Sequence, residues 1–214
     1  MRDPMTVAGA VLAAGEGRRM GQPKALIPVA GTPLVNRAVE VLRLGGCQPV
    51  GVMTGAKGQA VRALVKDRAQ VVNNPDWPSG MGSSVSHALR WAEGCEVSAL
   101  LILPVDTPGI GVPVIARLLD RRRVAFRRGT SPATEIAAWV ATYDGAPRNP
   151  VVLERAVWAD IADCVQADSG ARGWLKANPH RVATVECGDI GSPVDLDTPE
   201  DLARWVGHLP TATP

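Results

Sequence analysis

Val7-Ala8-Gly9-Ala10-Val11-Leu12-Ala13-Ala14-Gly15-Glu16-Gly17-Arg18-Arg19-Met20-Gly21-Gln22-Pro23-Lys24 is the stretch that decides the fold. Its first half is a continuous apolar run without a charge, the pattern of a strand buried on both faces. The run ends in small residues and passes into a loop with two Arg and one Lys. Small residues let backbone N–H groups approach an anion, and the cations add compensating charge. The loop is not a Walker A sequence, because no G-x-x-x-x-G-K-[ST] is present. Nor is it the dinucleotide fingerprint: after Gly15 and Gly17, Met20 stands in the third glycine's place.

Working outward, apolar strands alternate with helical patterns. Strands are expected at Val7–Ala13, Val50–Thr54, Gln70–Asn73 and Ala99–Leu103. Helices are expected from Thr32-Pro33 to Gly45-Gly46, over Gln59–Lys66, from Ser79–Ser84 to Gly94, and over Pro113–Leu119. This alternation implies βαβ units, a parallel sheet and an α/β fold. In the second half, strands are expected at Ile136–Tyr143, Pro150–Leu153, Val182–Glu186 and Val194–Leu196. Helices are expected at Glu154–Cys164 and Ser169–Ala177. A last helix starts at Thr198-Pro199-Glu200-Asp201, with a Thr cap, a first-turn Pro and acids on the positive end.

The chain of 214 residues carries 23 Lys and Arg against 21 Asp and Glu, a net charge of +2. That near balance argues against a nucleic-acid or acidic-membrane partner. The basic run Arg121-Arg122-Arg123 with Arg127-Arg128 reads as a solvated face. The uncharged apolar run Val97–Val105 is far short of the roughly 20 residues that cross a bilayer. A cytoplasmic protein is expected, organised as one domain over 1–214 with a frayed tail at 208–214. Cys47, Cys95, Cys164 and Cys187 form no C-x-x-C pair, so buried free thiols are expected rather than a zinc site.

In an open parallel sheet, ligands sit beyond the carboxyl ends of the strands. Three loops share that edge: Gly15–Lys24, Asn73–Ser84 and the turn at Asp106. Asp106 follows a buried strand, where a carboxylate can hold a hard cation. Ser83 and Ser84 read as helix caps. They lie in no G-x-S-x-G elbow, and His87, His180 and His208 suggest no triad.

The pattern Leu12-Ala13-Ala14-Gly15-x-Gly17-x-Arg19-Met20-x-x-Pro23-Lys24 resembles the signature of the MobA/MocA-like NTP transferase family, the molybdenum-cofactor cytidylyl- and guanylyltransferases. Further matching pieces follow in the family's order: Asn74-Pro75-x-Trp77-x-x-Gly80-Met81-x-Ser83-Ser84, Pro104-Val105-Asp106-Thr107-Pro108, Asp168-Ser169-Gly170-Ala171-Arg172, and Asp195-Leu196-Asp197-Thr198-Pro199-Glu200-Asp201-Leu202. The resemblance implies a Rossmann-like three-layer α/β/α fold with a mostly parallel mixed sheet. It implies a nucleotide-binding half over about 6–120 and an acceptor half over about 121–207. By resemblance, Arg19, Lys24 and Asp106 are catalytic. Leu12, Ala13, Ala14, Gly15, Gly17, Arg19, Lys24, Asn74, Gly82, Ser83 and Ser84 bind the nucleotide, and Asn149, Asp168 and Arg172 face the acceptor. Asp106 and either Asp195 or Asp197 hold Mg²⁺; Asp195 is favoured, because Asp197 lies close to the helix start, where it can support Thr198 as the cap.

The implied reaction transfers CMP from CTP to a phosphomonoester, molybdopterin in this family, with a molybdoenzyme or its chaperone as a further partner. Ala14 matches the cytidylyl form, since the guanylyl form tends to carry Gly there. Two pieces differ from the cytidylyl pattern: Arg148-Asn149-Pro150 stands where Gly-His-Pro is usual, and Asp106-Thr107-Pro108 where Asp-Gln-Pro is usual. GTP or a sugar phosphate on the same fold, an NAD(P)H-dependent oxidoreductase, and a non-catalytic nucleotide-binding maturation factor are the alternatives.

Overall fold

The computed structural model describes residues 3, 5–127, 136–164 and 170–207. Arg128, Asp168, Ser169 and the 208–214 tail lie outside the described residues. The chain runs β1 (Val7–Ala13), a small hairpin of β2 (Pro28–Val29) and β3 (Thr32–Pro33), α1 (Leu34–Leu44), β4 (Val50–Thr54), α2 (Gly58–Val65), β5 (Gln70–Asn73), α3 (Met81–Glu93), β6 (Ala99–Pro104) and α4 (Val112–Arg127). It continues through β7 (Ala138–Tyr143), β8 (Ala146–Glu154), α5 (Trp158–Cys164), α6 (Arg172–Ala177), β9 (Val182–Glu186) and α7 (Pro199–Gly207). A seven-stranded sheet has the order β5-β4-β1-β6-β8-β7-β9. Only β8 runs antiparallel to its neighbours, so the sheet is mixed and mostly parallel.

Strand β1 lies in the middle, and its side chains alternate between two cores. Val7, Val11 and Ala13 join Leu34, Val35, Val61, Ile115 and Leu118 beneath α1, α2 and α4. Ala8, Ala10 and Leu12 join Val85, Leu89, Trp158 and Trp174 beneath α3, α5 and α6. All seven residues of β1 are buried, which is why its sequence shows no polar alternation. Two helix layers therefore sandwich one sheet, as the α/β reading requires.

Four expectations need correction. Thr32-Pro33 does not cap α1; these residues pair with Val29 and Pro28 in the hairpin, and the helix begins at Leu34 without a side-chain cap. Helix α4 extends to Arg127, well past Leu119. Arg121, Arg122, Arg123 and Arg127 are thus helical, and Arg122 follows Ile115, Leu118 and Leu119 on the inward stripe at helical spacing. Arg122 is 3% exposed rather than solvated. Its guanidinium donates to Glu154 Oε1 at 2.6 Å and Oε2 at 2.9 Å, and to Ser98 Oγ at 3.0 Å. Val194–Leu196 is not a strand, because the Leu196 N–H bond to Asp106 is not extended into a ladder. Finally, Cys47 and Cys187 are buried, but Cys95 is half-buried and Cys164 exposed; all four are free thiols.

The far edge is stapled by Glu186. Its carboxylate accepts hydrogen bonds from Thr142 Oγ1, Asp144 N, Gly145 N and Gly188 N. Nearby, Arg117 binds Asp189 and the Glu186 carbonyl, tying α4 to the segment after β9. No described helix is long and apolar enough to cross a membrane.

Two stability predictions follow. Breaking a buried, hydrogen-bonded ion pair strands the surviving charge and costs about 3–5 kcal/mol, whereas apolar replacement of both partners is much closer to neutral. Glu154→Ala should therefore lower the urea midpoint strongly, and the double variant Arg122→Leu/Glu154→Leu should restore most of it. The second concerns pH. The donors to Glu186, led by the Gly188 N–H, hold its carboxyl down at about 2 from 4.5. A depressed carboxyl stabilises the fold above its unfolded value and loses that contribution as pH falls through its folded value. Urea titrations should show Glu186→Gln less stable than wild type near neutral pH, with the gap closing between pH 4.5 and about 2.

Candidate active site

The loop after β1 folds tightly before it delivers Lys24. Gly17 has φ 67°, and a Cβ there would stand 1.9 Å from the Gln22 carbonyl oxygen. Gly15 is different: nothing lies within 4 Å of a Cβ built on it, so its backbone faces open space. The Ala14 carbonyl accepts from Ala56 N at 2.9 Å, joining this loop to the one after β4.

Lys24 then reaches across the sheet edge. Its ammonium donates to Asp106 Oδ2 at 2.7 Å and to Asp197 Oδ1. Arg19 approaches the other Asp197 oxygen at 3.1 Å. Burial alone would lower the Lys24 ammonium, but Asp106 and Asp197 outweigh it and hold it above the usual lysine value. The hydrogen bond from Lys24 holds the Asp197 carboxyl below the ordinary range.

The acidic partners are assembled by backbone. Leu196 is fully buried and donates its N–H to the Asp106 carbonyl at 2.9 Å, and Ser192 N donates to the Gly109 carbonyl at 3.1 Å. These bonds dock the segment before α7 against the end of β6 and bring Asp195 and Asp197 beside Asp106. The Asp197 role expected from sequence is corrected here. Thr198 and Asp201 cap α7 reciprocally: Thr198 Oγ1 accepts from Asp201 N, and Asp201 Oδ2 accepts from Thr198 N and Asp197 N. The Asp197 side chain is left to Lys24 and Arg19.

Asp195 is surface-exposed, yet its carboxyl is pushed up, first by partial desolvation in the cleft and then by Asp106 and Asp197; Lys24 and Arg148 offset part of this. Three carboxylates thus meet while Lys24 bridges only two of them. Oxygen donors with uncompensated negative charge suit a hard divalent cation, and Mg²⁺ commonly takes only one or two carboxylates, with water and substrate oxygens completing its shell. Asp106 and Asp195 fit that pattern. Among the described residues, no cluster of three or more His, Cys, Asp or Glu side chains could cage a metal unaided.

A cleft of about 860 Å³ opens from this carboxylate pair. Leu12, Asp106, Asn149, Arg172 and Asp195 line it, together with Arg148 and Lys176. The other expected nucleotide residues sit elsewhere. Ala13 ends β1, and Ala14, Gly15, Gly17, Arg19 and Lys24 lie on the segment that follows it. Asn74 is fully buried and saturated: Nδ2 donates to Ser83 Oγ and Ser84 Oγ, and Oδ1 accepts from Asp76 N. Ser83 Oγ donates to the Gly80 carbonyl, so neither serine caps α3, whose N-cap is Gly80. Asn74 thereby anchors the first turn of α3, which contains the buried Gly82. Asp168 lies outside the described residues. Sequence reasoning did not place Arg148 and Lys176 in the site; Arg148, next to the expected acceptor residue Asn149, was the available signal.

The model of the MobA-like NTP transferase domain matches residues 9–182. A nicotine blue oxidoreductase from Paenarthrobacter nicotinovorans is 36% identical over 205 residues, covering 92% of this chain and 95% of that protein. A molybdenum cofactor guanylyltransferase from Rhodobacter capsulatus is 30% identical, covering 96% and 97%. Among solved structures, the homologue of Mycobacterium tuberculosis Rv0371c from Mycobacterium sp. strain JC1 superposes with TM-score 0.77 at 26% identity, covering 96% and 97%. A nucleotidyl transferase from Methanothermobacter shares the fold with TM-score 0.75 at 18% identity, covering 95% and 97%.

The two loop glycines generate a paired prediction. Alanine in a left-handed conformation costs about 1–2 kcal/mol before any clash, so Gly17→Ala should lower thermal stability clearly. Gly15→Ala should melt as wild type. Differential scanning fluorimetry compares them directly.

Proposed function

This chain belongs to the MobA-like NTP transferase family, and on that premise we propose that it transfers CMP from CTP to a small phosphomonoester, with molybdopterin as the favoured acceptor and Mg²⁺ as the favoured metal. The observation that carries the reading is the convergence of Lys24, Arg19, Asp106, Asp195 and Asp197 at the mouth of the cleft. The acceptor's phosphate oxygen attacks the α-phosphorus in line; the new P–O bond forms as the bond to the β-phosphate oxygen breaks, and pyrophosphate leaves. A phosphate dianion is already nucleophilic, so no general base is required. Positioning and positive charge do most of the work in such transfers.

The residues divide that work by half. Over 6–120, backbone N–H groups of Ala13–Gly17 hold the nucleotide's phosphates, while Lys24 and Arg19 neutralise the charge building on the leaving pyrophosphate. Asn74, Gly82, Ser83 and Ser84 support the base and ribose side by fixing the start of α3. Over 121–207, Asn149 and Arg172 orient the acceptor. Asp106 and Asp195 would hold Mg²⁺, which when bound supplies Lewis-acid withdrawal and a template for phosphate oxygens.

Ala14 supports the cytidylyl form, while the R. capsulatus relative carries a guanylyltransferase name. A second reading is an NAD(P)H-dependent oxidoreductase on this fold, favoured by the P. nicotinovorans relative. One assay separates these readings: pyrophosphate release with Mg²⁺, molybdopterin and each of the four NTPs. CTP should be preferred; release with GTP alone moves the chain to the guanylyl branch. No release, combined with hydride transfer from NAD(P)H, establishes the second reading instead. Removing one preorganised charge-stabilising group costs on the order of 10²–10³ in rate. Lys24→Ala, Arg19→Ala and Asp106→Asn should each show such a loss in kcat/KM, and an Arg19→Ala enzyme with full rate would contradict the assigned roles.

A further inference from the structure

The cleft divides chemically along its length. Its walls beyond the carboxylate end are Met81 and Val85 from α3, Ile102 from β6, Val140 from β7, Val151 from β8 and Leu175 from α6. These come from five elements on one face of the sheet, and Val85, Ile102, Val140 and Val151 belong to the same buried core. The wall is thus the surface of that packed core, reached only in part by the cleft: these four residues are 2–6% exposed. Among the described residues, three cations stand around it, Arg148, Arg172 and Lys176, and its uncharged side-chain hydrogen-bonding groups are Thr107, Asn149 and Thr184. Thr107 already donates to the Pro104 carbonyl at 3.1 Å.

A sugar phosphate carries a hydroxyl on nearly every carbon, and each one buried without a partner costs free energy. An apolar wall rimmed by cations suits the opposite kind of molecule. We propose that the acceptor half of the cleft is built for a molecule with an apolar body and a terminal anion, and that Arg148 is the residue that reads the anion. This rests on the assignment of that half as the acceptor site.

Arg148 is singled out among the three cations by position. It sits on β8, a strand of the sheet, whereas Arg172 and Lys176 ride on the six-residue helix α6. One of its terminal nitrogens is held by its own neighbour, donating to the Pro147 carbonyl at 3.1 Å. It lines the same cleft as Asp106 and Asp195 and is next in sequence to Asn149, expected from the sequence to face the acceptor. A planar guanidinium can grip a phosphate with two parallel hydrogen bonds, which a lysine ammonium cannot.

The test is direct binding by calorimetry in metal-free buffer, so that no turnover occurs. The probes are 1-naphthyl phosphate, 1-naphthol and glucose 1-phosphate. 1-Naphthyl phosphate should bind more tightly than either of the others, because only it satisfies both parts of the cleft. Arg148→Ala should weaken it about tenfold or more, as expected for a lost charge-assisted pair, and Arg148→Lys should recover part of that. Met81→Gln should weaken 1-naphthyl phosphate and 1-naphthol alike. Equal binding of glucose 1-phosphate, or an unchanged Kd for Arg148→Ala, would overturn the proposal. Pyrophosphate release reports separately on the transfer reading. If 1-naphthyl phosphate binds as expected and no NTP–acceptor pair releases pyrophosphate, transfer fails and the ligand chemistry stands. Release with sugar phosphates alone would do the reverse.

Discussion

Lys24 lies between Asp106 and Asp197, and the architecture of the site depends on that bridge. Three carboxylates brought to one sheet edge repel one another; at an effective dielectric near 20, two unit charges 4 Å apart interact by about 4 kcal/mol. The lysine offsets two of the three, with Arg19 reinforcing the second. It also joins three distant pieces of chain: the loop after β1, the end of β6 and the segment before α7. Among the described residues Asp195 receives no comparable ion pair, and its carboxyl is raised, first by partial desolvation and then by its acidic neighbours. That remaining negative charge makes the edge receptive to a cation accompanied by phosphate.

The bridge is possible only because the backbone beneath it is rigid. The fully buried β1 lies between β4 and β6, and the loop that carries Lys24 starts from its end. The buried Leu196 and its bond to the Asp106 carbonyl hold the other side. Asn74 belongs to the same scaffold. Its residue type and place in the motif suggest ligand contact, but its amide is consumed in holding two serines and a backbone N–H. Its influence on a bound nucleotide passes through the start of α3.

The readable and unreadable parts of the chain differ in a physical way. Val50–Thr54, Gln70–Asn73 and Val182–Glu186 appear in the structure with the bounds their patterning suggests: the first is wholly buried, and the other two, partly buried strands at the sheet edges, are marked by β-branched residues. Arg122 left none. Three consecutive arginines look solvated, and only the partner Glu154, 32 residues later on β8, explains why one of them turns inward. Asp195 and Asp197 were visible as an alternating pair, but their division of labour was not. It is decided by Asp201 taking over the cap and by Lys24 arriving from 173 residues away.

By itself, the sequence determined the α/β class, the central buried strand, the cationic glycine-rich loop and the sheet edge where chemistry collects. These follow from periodicity, turn chemistry and charge within short windows. Tertiary structure alone decided which charges meet, that Arg122 is a core residue, that Asp197 faces Lys24, and that Arg148 and Lys176 stand over an apolar wall drawn from five elements. Each of those outcomes depends on contacts between residues far apart in the chain, and no local pattern encodes where a long charged side chain will find its partner.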